Sequence, residues 1–272
     1  MVHSIRATLE RLGPVQVIAP SSLETFADEV TRLEAASDLL VIAGGDGSMN
    51  LTVNALAGRL DDVVLALIPM GTGNDLAGTL EIPTDPGEAA ERVLSGVEKA
   101  IDVGRATGPD VERLFVNACV GGFSVDMNEA IDDKLKKKLG PAAFWVGGAK
   151  AAAQLHRATV HLNDMEIPDC LAAGVGNGRT SGGGLPMWPT ARIDDGLLDG
   201  CALPASNHLD AAKVGAKLKT GSHAELEGVE TTRAPTIHID ADPVMEINVD
   251  GELVGLTTPA TFEIVGKVRV RF

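Results

Sequence analysis

Leu39-Leu-Val-Ile-Ala43, followed at once by Gly44-Gly45-Asp46-Gly47-Ser48-Met49-Asn50, decides how the first part of this chain folds. A continuous apolar run of this length suits a parallel strand buried on both faces. The glycines end the strand and open a helix predicted to run to about Gly58. Open α/β sheets bind ligands at the carboxyl ends of such strands. There the glycines let backbone approach a phosphate, and the helix N-terminus offers free N–H groups to an anion. The chain has no GxxxxGK(S/T) loop, so this cradle carries no lysine of its own. The same residues would also suit an ordinary tight turn containing an aspartate.

Outward from this stretch the pattern repeats. Val63 to Pro69 is a second buried-strand run, and Met70-Gly71-Thr72-Gly73-Asn74-Asp75-Leu76-Ala77 is a second glycine turn opening a short helix, stopped by Pro83. Two such turns on consecutive parallel strands face one crevice, which brings Asp46 and Asp75 together. Like charges in a crevice need a cation or a shared proton, and beside phosphates Mg²⁺ is the natural bridge. Alternatively, Asn74 and Asp75 simply cap the short helix. Leu23, Phe26, Ala27, Val30 and Leu33 recur at helical spacing, and Asp85-Pro86-Gly87-Glu88 reads as a helix start whose helix ends near Gly96. This alternation implies an α/β domain with a parallel sheet.

From about Gly104 the chain reads as strands: Leu114–Cys119, Thr159–Leu162, Leu171–Val175, Ile237–Ile239, Met245–Val249, Thr261–Val265 and Val268–Phe272. Helical patterns persist near 124–139, 143–157 and 207–219. We therefore expect an α/β domain over residues 1–103 and a mostly antiparallel, β-sandwich-like domain over 104–272, with the last strand able to return to the first domain.

Composition narrows the function. With 38 acidic against 23 basic residues the formal charge is −15, which disfavours nucleic acid as a partner. Cys119, Cys170 and Cys201 lie far apart without CxxC spacing, as reduced thiols of a cytoplasmic protein would. The six histidines show no HExxH motif, so zinc is not expected. No apolar run approaches the ~18 residues of a membrane span, so any membrane contact is expected to be peripheral and transient.

GGDGS-x-N followed by P-x-GTGNDLA resembles the catalytic signature of the diacylglycerol kinase, sphingosine kinase and ceramide kinase superfamily. The resemblance runs on through Ala100-Ile101-Asp102-Val103-Gly104. It continues in Gly176-Asn177-Gly178, Gly182-Gly183-Gly184, Pro189, Ala191 and Asp195-Gly196-Leu197-Leu198-Asp199, and ends with Asp250-Gly251-Glu252. It implies an ATP-dependent, Mg²⁺-dependent lipid kinase. Gly44, Gly45, Asp46, Gly47, Ser48 and Asn50, with Gly71, Thr72 and Asn74, would hold the ATP phosphates. Asp46, Asp75 and Asp102 would organise the catalytic Mg²⁺, partly through water, and Glu252 would be the general base, with Asp46 and Asp75 beside it in the catalytic centre. A second, structural Mg²⁺ would take the Asp195 carboxylate and the backbone carbonyls of Arg192 and Leu197. Read from the residues alone, Asp-Gly-Glu would equally suit a hairpin turn with an exposed Glu252.

The family pattern usually begins with a strand ending in an Asn-Pro-x-Ser/Ala-Gly turn. This chain starts in helical pattern at Met1-Val-His-Ser-Ile5, so that strand is expected to be missing. Lys134, Lys136, Lys137 and Lys138 form a basic cluster before Gly140-Pro141, which suits either a helix C-terminus or a foothold on anionic membrane. Phe144, Trp145, Met187 and Trp188 would add apolar contact with lipid or pack locally. An NAD kinase-like enzyme shares the GGDG loop, but the GTGNDLA form favours a lipid kinase; a non-catalytic nucleotide-binding relative is the other alternative. The acceptor lipid at a membrane surface is open, and a homodimer is compatible with the sequence.

Overall fold

In the computed structural model, which describes residues 2–34, 38–122 and 157–272, strand β1 (Leu40–Gly44) lies parallel to β2 (Val64–Pro69), in register from Leu40 opposite Leu65 to Gly44 opposite Pro69. All six residues of β2 are buried, as expected of a strand with neighbours on both edges and layers on both faces. Helices α1 (Val2–Leu9), α2 (Leu23–Glu34), α3 (Asp46–Ala55), α4 (Asp75–Thr79) and α5 (Pro86–Ser95) complete this α/β part. Asp85 accepts hydrogen bonds from the N–H groups of Gly87 and Glu88, capping α5 with Pro86 in its first turn, as the sequence predicted. The core here joins Met49, Val53 and Leu56 of α3 to the β2 side chains and to Ala89, Ala90 and Val93 of α5.

Strands β3 (Glu98–Thr107), β4 (Glu112–Phe115), β5 (Ala118–Gly122), β6 (Ala158–Leu162), β7 (Met165–Gly176), β8 (Leu198–Pro204), β9 (Glu230–Ala234), β10 (Thr236–Asp242), β11 (Glu246–Val249), β12 (Glu252–Thr257) and β13 (Ala260–Arg271) follow. Helix α6 (His208–Leu218) packs over a small third core containing Met187, Trp188 and Leu203. The pairings among β5 to β12 are antiparallel, giving a β-sandwich-like C-terminal domain after the α/β part. The strand order is β1-β2-β13-β10-β6-β7-β5-β11-β12; off this path β3 pairs with β13 and carries β4, and β8 pairs with β7 and carries β9. One strand therefore joins the two parts. The beginning of β13 pairs antiparallel with β10, its whole length runs against β3, and its end lies parallel to β2, with Arg269 opposite Val64 and Val270 opposite Leu65.

Two strand readings are corrected. Thr261–Val265 and Val268–Phe272 belong to one strand, bent by a register shift between Ile264 and Gly266 that moves the buried alternation to Val268 and Val270. Leu114–Cys119 is two strands, because the N–H groups of Val116, Asn117 and Ala118 leave the ladder to bind the carboxylate of Asp250. Strands β3, β8, β9 and β12 carried no strand pattern strong enough to be predicted. The helical patterns at 124–139 and, except for Arg157, at 143–157, the lysines at 134–138, Phe144 and Trp145 lie outside the described residues. Among the described residues no helix is long and apolar enough to cross a membrane.

Phe115 anchors the β domain. Its ring stacks edge-on against Phe262, with centroids 6.3 Å apart, and covers Gly104 across the β3–β4 ladder. A Cβ at residue 104 would meet the Phe115 ring at 2.3 Å. Gly104→Ala should destabilise the fold by roughly 1–3 kcal/mol through overpacking. Combined with Phe115→Leu, which opens that space, the two costs should fall short of their sum by more than ~0.5 kcal/mol in urea unfolding. Strict additivity would show that the ring does not press on residue 104.

Candidate functional site

The parallel pairing of β1 and β2 sets their C-terminal turns side by side. The ladder continues one bond past the strands, with Met70 N–H donating to Gly44 O at 2.9 Å. Backbone then touches backbone: a Cβ at Gly71 would lie 2.6 Å from the Cα of Gly45. Only glycine permits that approach. Asn74, at φ 54°, folds the second turn on itself: its Oδ1 accepts from Gly71 N–H at 3.0 Å and its Nδ2 donates to Gly71 O at 2.8 Å. Ser48 packs its hydroxyl over Gly44, where a Cβ would meet Oγ at 2.4 Å, and Thr72 is exposed at the second turn.

Helix α4 is not capped by its own Asn74. The cap comes from Asp46 in the other turn, whose Oδ2 and Oδ1 accept from the N–H groups of Asp75 and Leu76 at 3.0 and 2.9 Å. Asp75 in turn reaches into the C-terminal domain. Its carboxylate accepts from Gly183 and Gly184 N–H at 2.9 and 2.8 Å, in a run of three glycines that all have positive φ, an amide nest for an anion. Arg179 closes the other end of α4, donating to Thr79 O at 3.0 Å. The two carboxylates meet beside Gly73, where a Cβ would lie 3.3 Å from Asp46 Oδ2 and 3.5 Å from Asp75 Oδ2.

Among the described residues, the charges that act on Asp46 are those of the acids Asp75 and Asp250. Burial pushes the Asp46 carboxyl up from 3.8 to about 6, helped by the negative charges of Asp75 and Asp250 and opposed only by the two N–H bonds. A divalent cation would relieve that strain, so the residues fit one. Glu252 stands over the first turn: a Cβ at Gly47 would sit 2.3 Å from Glu252 Oε1. Its carboxylate is solvent-exposed and close to the N-terminus of α3, where a negative charge is favoured.

What aims Glu252 is Asp250. This carboxylate is deeply buried and accepts four hydrogen bonds, from Asn50 Nδ2 at 3.0 Å and from Val116, Asn117 and Ala118 N–H, each at 2.9 Å. Burial raises its pKa and those four bonds lower it, with burial the larger effect. Asn50, expected at the phosphates, is fully buried. Its Nδ2 goes to Leu114 O and Asp250, and its Oδ1 takes Arg113 Nε, so it braces the site and has no free polar atom facing the crevice. Asn177 is a similar brace, donating to the carbonyls of Asp102 and Val116. Sequence reading assigned no role to Asp250 or Asn117 and used Asn177 only as a family match; an Asp or Asn beside glycine signals a turn and says nothing of burial.

Asp102 does not join Asp46 and Asp75. It is fully buried, accepts from Gly196 N–H at 2.7 Å and faces Lys267, whose Nζ is 3.0 Å away. Among the described residues no three His, Cys, Asp or Glu side chains converge as a metal cage. Of the three carboxylates expected at the metal, only those of Asp46 and Asp75 meet directly, beside Gly73. Asp195, expected to hold a second ion, pairs with Arg233. Met187 and Trp188 are buried and offer no surface to a lipid.

The diacylglycerol kinase catalytic domain model matches residues 1–106, and the YegS C-terminal NAD kinase beta sandwich-like domain model matches residues 118–270. A Stenotrophomonas maltophilia protein named "Probable lipid kinase YegS-like" is 36% identical over 241 residues, covering 86% of this chain and 78% of the relative. A Pseudomonas aeruginosa protein of the same name is 35% identical, covering 81% of this chain and 72% of the relative. The chain belongs to the YegS-like lipid kinase family. The crystal structure of a Bacillus anthracis diacylglycerol kinase superposes with a TM-score of 0.77 at 24% identity, over 100% of this chain and 89% of that one, a likeness of fold. In this YegS-like chain the domain model ending at 106 holds both glycine turns, while the one beginning at 118 supplies Glu252 and the amide nest that grips Asp75.

The raised Asp46 pKa gives a signed test. Because the folded state holds this proton more tightly, the unfolded chain ionises first, so stability falls as pH rises from about 4 to about 6 and the cost is complete above that. Asp46→Asn removes the titration. Its melting temperature relative to wild type should rise between pH 4 and 7 by the equivalent of roughly 1–3 kcal/mol, and Mg²⁺ should shrink that rise by favouring the ionised wild-type carboxylate. A flat difference across the series would mean that Asp46 ionises in the ordinary range.

Proposed function

We propose that this protein transfers the γ-phosphate of ATP to the hydroxyl of a lipid presented at a membrane surface. The observation that carries this reading is Glu252: an accessible carboxylate set on Gly47, at the mouth of two glycine turns whose only carboxylates are the paired Asp46 and Asp75. Phosphoryl transfer asks mainly for positioned phosphates, offset of charge and an oriented hydroxyl. The amides at the start of α3 and the bare backbone of Gly44, Gly45 and Gly71 would hold the phosphates, with the Ser48 and Thr72 hydroxyls beside them. Asp46 and Asp75 would hold Mg²⁺, which when bound offsets negative charge on the phosphoryl oxygens. Glu252 would accept the proton of the attacking hydroxyl. On this reading residues 1–103 bind the nucleotide and 104–272 the acceptor, and the enzyme works at the cytoplasmic face of the membrane.

The test is radiolabelled ATP with vesicles of defined lipids, diacylglycerol, a sphingoid base and a glycerophospholipid in separate arms, and with NAD as a control acceptor. A labelled lipid is expected; label on NAD alone would overturn the reading in favour of the NAD kinase alternative. Glu252→Gln should lower kcat and kcat/KM together by 10²–10⁴-fold, roughly 3–5 kcal/mol of barrier, with the KM for ATP little changed. A raised KM for ATP at preserved kcat would move Glu252 from proton transfer to nucleotide binding.

A further inference from the structure

The family resemblance implies a structural Mg²⁺ held by Asp195 and the carbonyls of Arg192 and Leu197. The side chains around that loop do not fit it. Four carboxylates, Asp102, Asp194, Asp195 and Asp199, meet four protein cations, Lys99, Arg192, Arg233 and Lys267. Lys99 Nζ is 2.9 Å from Asp194 and holds its carboxyl below the ordinary range. Arg192 Nε lies 3.7 Å from Asp194 and 4.0 Å from Asp195. Arg233 pairs with Asp195 Oδ2 and lies 3.4 Å from Asp199, while the other oxygen of Asp195 accepts from Leu197 N–H at 3.2 Å. A divalent ion placed here would add two charges to a group already neutral, beside guanidinium groups that repel it.

Lys267, itself exposed, is the cation that reaches the buried Asp102. It stands directly opposite Asp102 in the β3–β13 ladder, just past the register shift that bends β13. Its ammonium lies 3.0 Å from Asp102 Oδ1, an ion pair outside hydrogen-bond geometry, and donates to the Asp194 carbonyl at 3.0 Å. One ammonium thus bridges a fully buried carboxylate and a loop carbonyl, the two kinds of oxygen that a metal ion would gather.

We propose that the ammonium of Lys267 is the resident cation of the 192–199 loop, which in this chain is ordered by protein charges and takes no metal ion. The proposal is independent of the kinase reading. The full chain, passed through EDTA and gel filtration, should carry no stoichiometric Mg²⁺ or Ca²⁺ by elemental analysis and should melt as it did before chelation. Lys267→Gln should lower the melting temperature by roughly 2–4 °C, because the buried Asp102 loses its cation and keeps only the Gly196 N–H bond while the half-exposed ammonium is partly screened, and Lys267→Arg should recover part of the loss. Any rise on adding Mg²⁺ should survive Asp195→Asn and vanish in Asp46→Asn, placing that ion in the crevice. One divalent ion per chain that persists through gel filtration and is lost with Asp195→Asn would overturn the proposal, as would an unchanged melting temperature in Lys267→Gln. If Lys267→Gln does not fold, the metal content of the wild-type chain decides.

Discussion

The Asp250 carboxylate, buried and accepting four hydrogen bonds, ties together three segments far apart in sequence: α3 through Asn50, the break between β4 and β5, and the turn between β11 and β12. The three backbone N–H donors would otherwise be buried polar groups without a partner, at about 1–3 kcal/mol apiece. The arrangement also forces Asp250 into the left-handed region, at φ 48°, a modest strain accepted where the surroundings dictate it. The placing of Glu252 over the first glycine turn follows from this anchor. The β4 strand stops where it must donate, Asn50 is drawn inward, and Glu252 emerges two residues later over Gly47.

Two clusters of acids lie in the same protein and differ in one respect. In the crevice the charged neighbours of Asp46 among the described residues are the acids Asp75 and Asp250, and its pKa rises. Around residues 192–199 every acid has a base within reach: Lys99 holds the Asp194 carboxyl below the ordinary range, while burial still pushes Asp199 up despite Arg233. Geometry of oxygens alone would not separate the two. Charge balance does, because a cation binds where the protein has left a deficit. The crevice has that deficit and the loop does not.

The first part of the fold was legible because its signals are local. A run such as Leu39–Ala43 followed by glycines, or Asp85-Pro86 before a periodic stretch, specifies its element without reference to distant residues. The α/β and β-sandwich-like parts, both glycine turns and the exposed glutamate could therefore be read directly. The rest depended on pairing across the chain. β12 and β9 have mixed polarity and become strands only because a neighbour offers a ladder; β13 was split in two because a bulge interrupts its alternation. At the site, the proximity of Asp46 and Asp75 followed from strand order. Two other facts did not follow: Asp102 faces a lysine 165 residues later, and Asn50 is buried against Asp250. Each is set by tertiary register.

The position of β13 has a consequence for synthesis. Val64 and Leu65 of β2 find their second neighbour only in Arg269 and Val270, so the ribosome has made nearly all of this sequence before the first sheet can be completed. Domains of nascent chains commonly fold in order from the N-terminus. Here the α/β part must wait with one edge of its sheet unpaired, and its closure requires a contact spanning some two hundred residues, which topology makes slow. During that interval the exposed edge of an almost wholly apolar strand is a template for pairing between nascent chains, so the burden of avoiding aggregation falls on whatever shields β2 until β13 has been made.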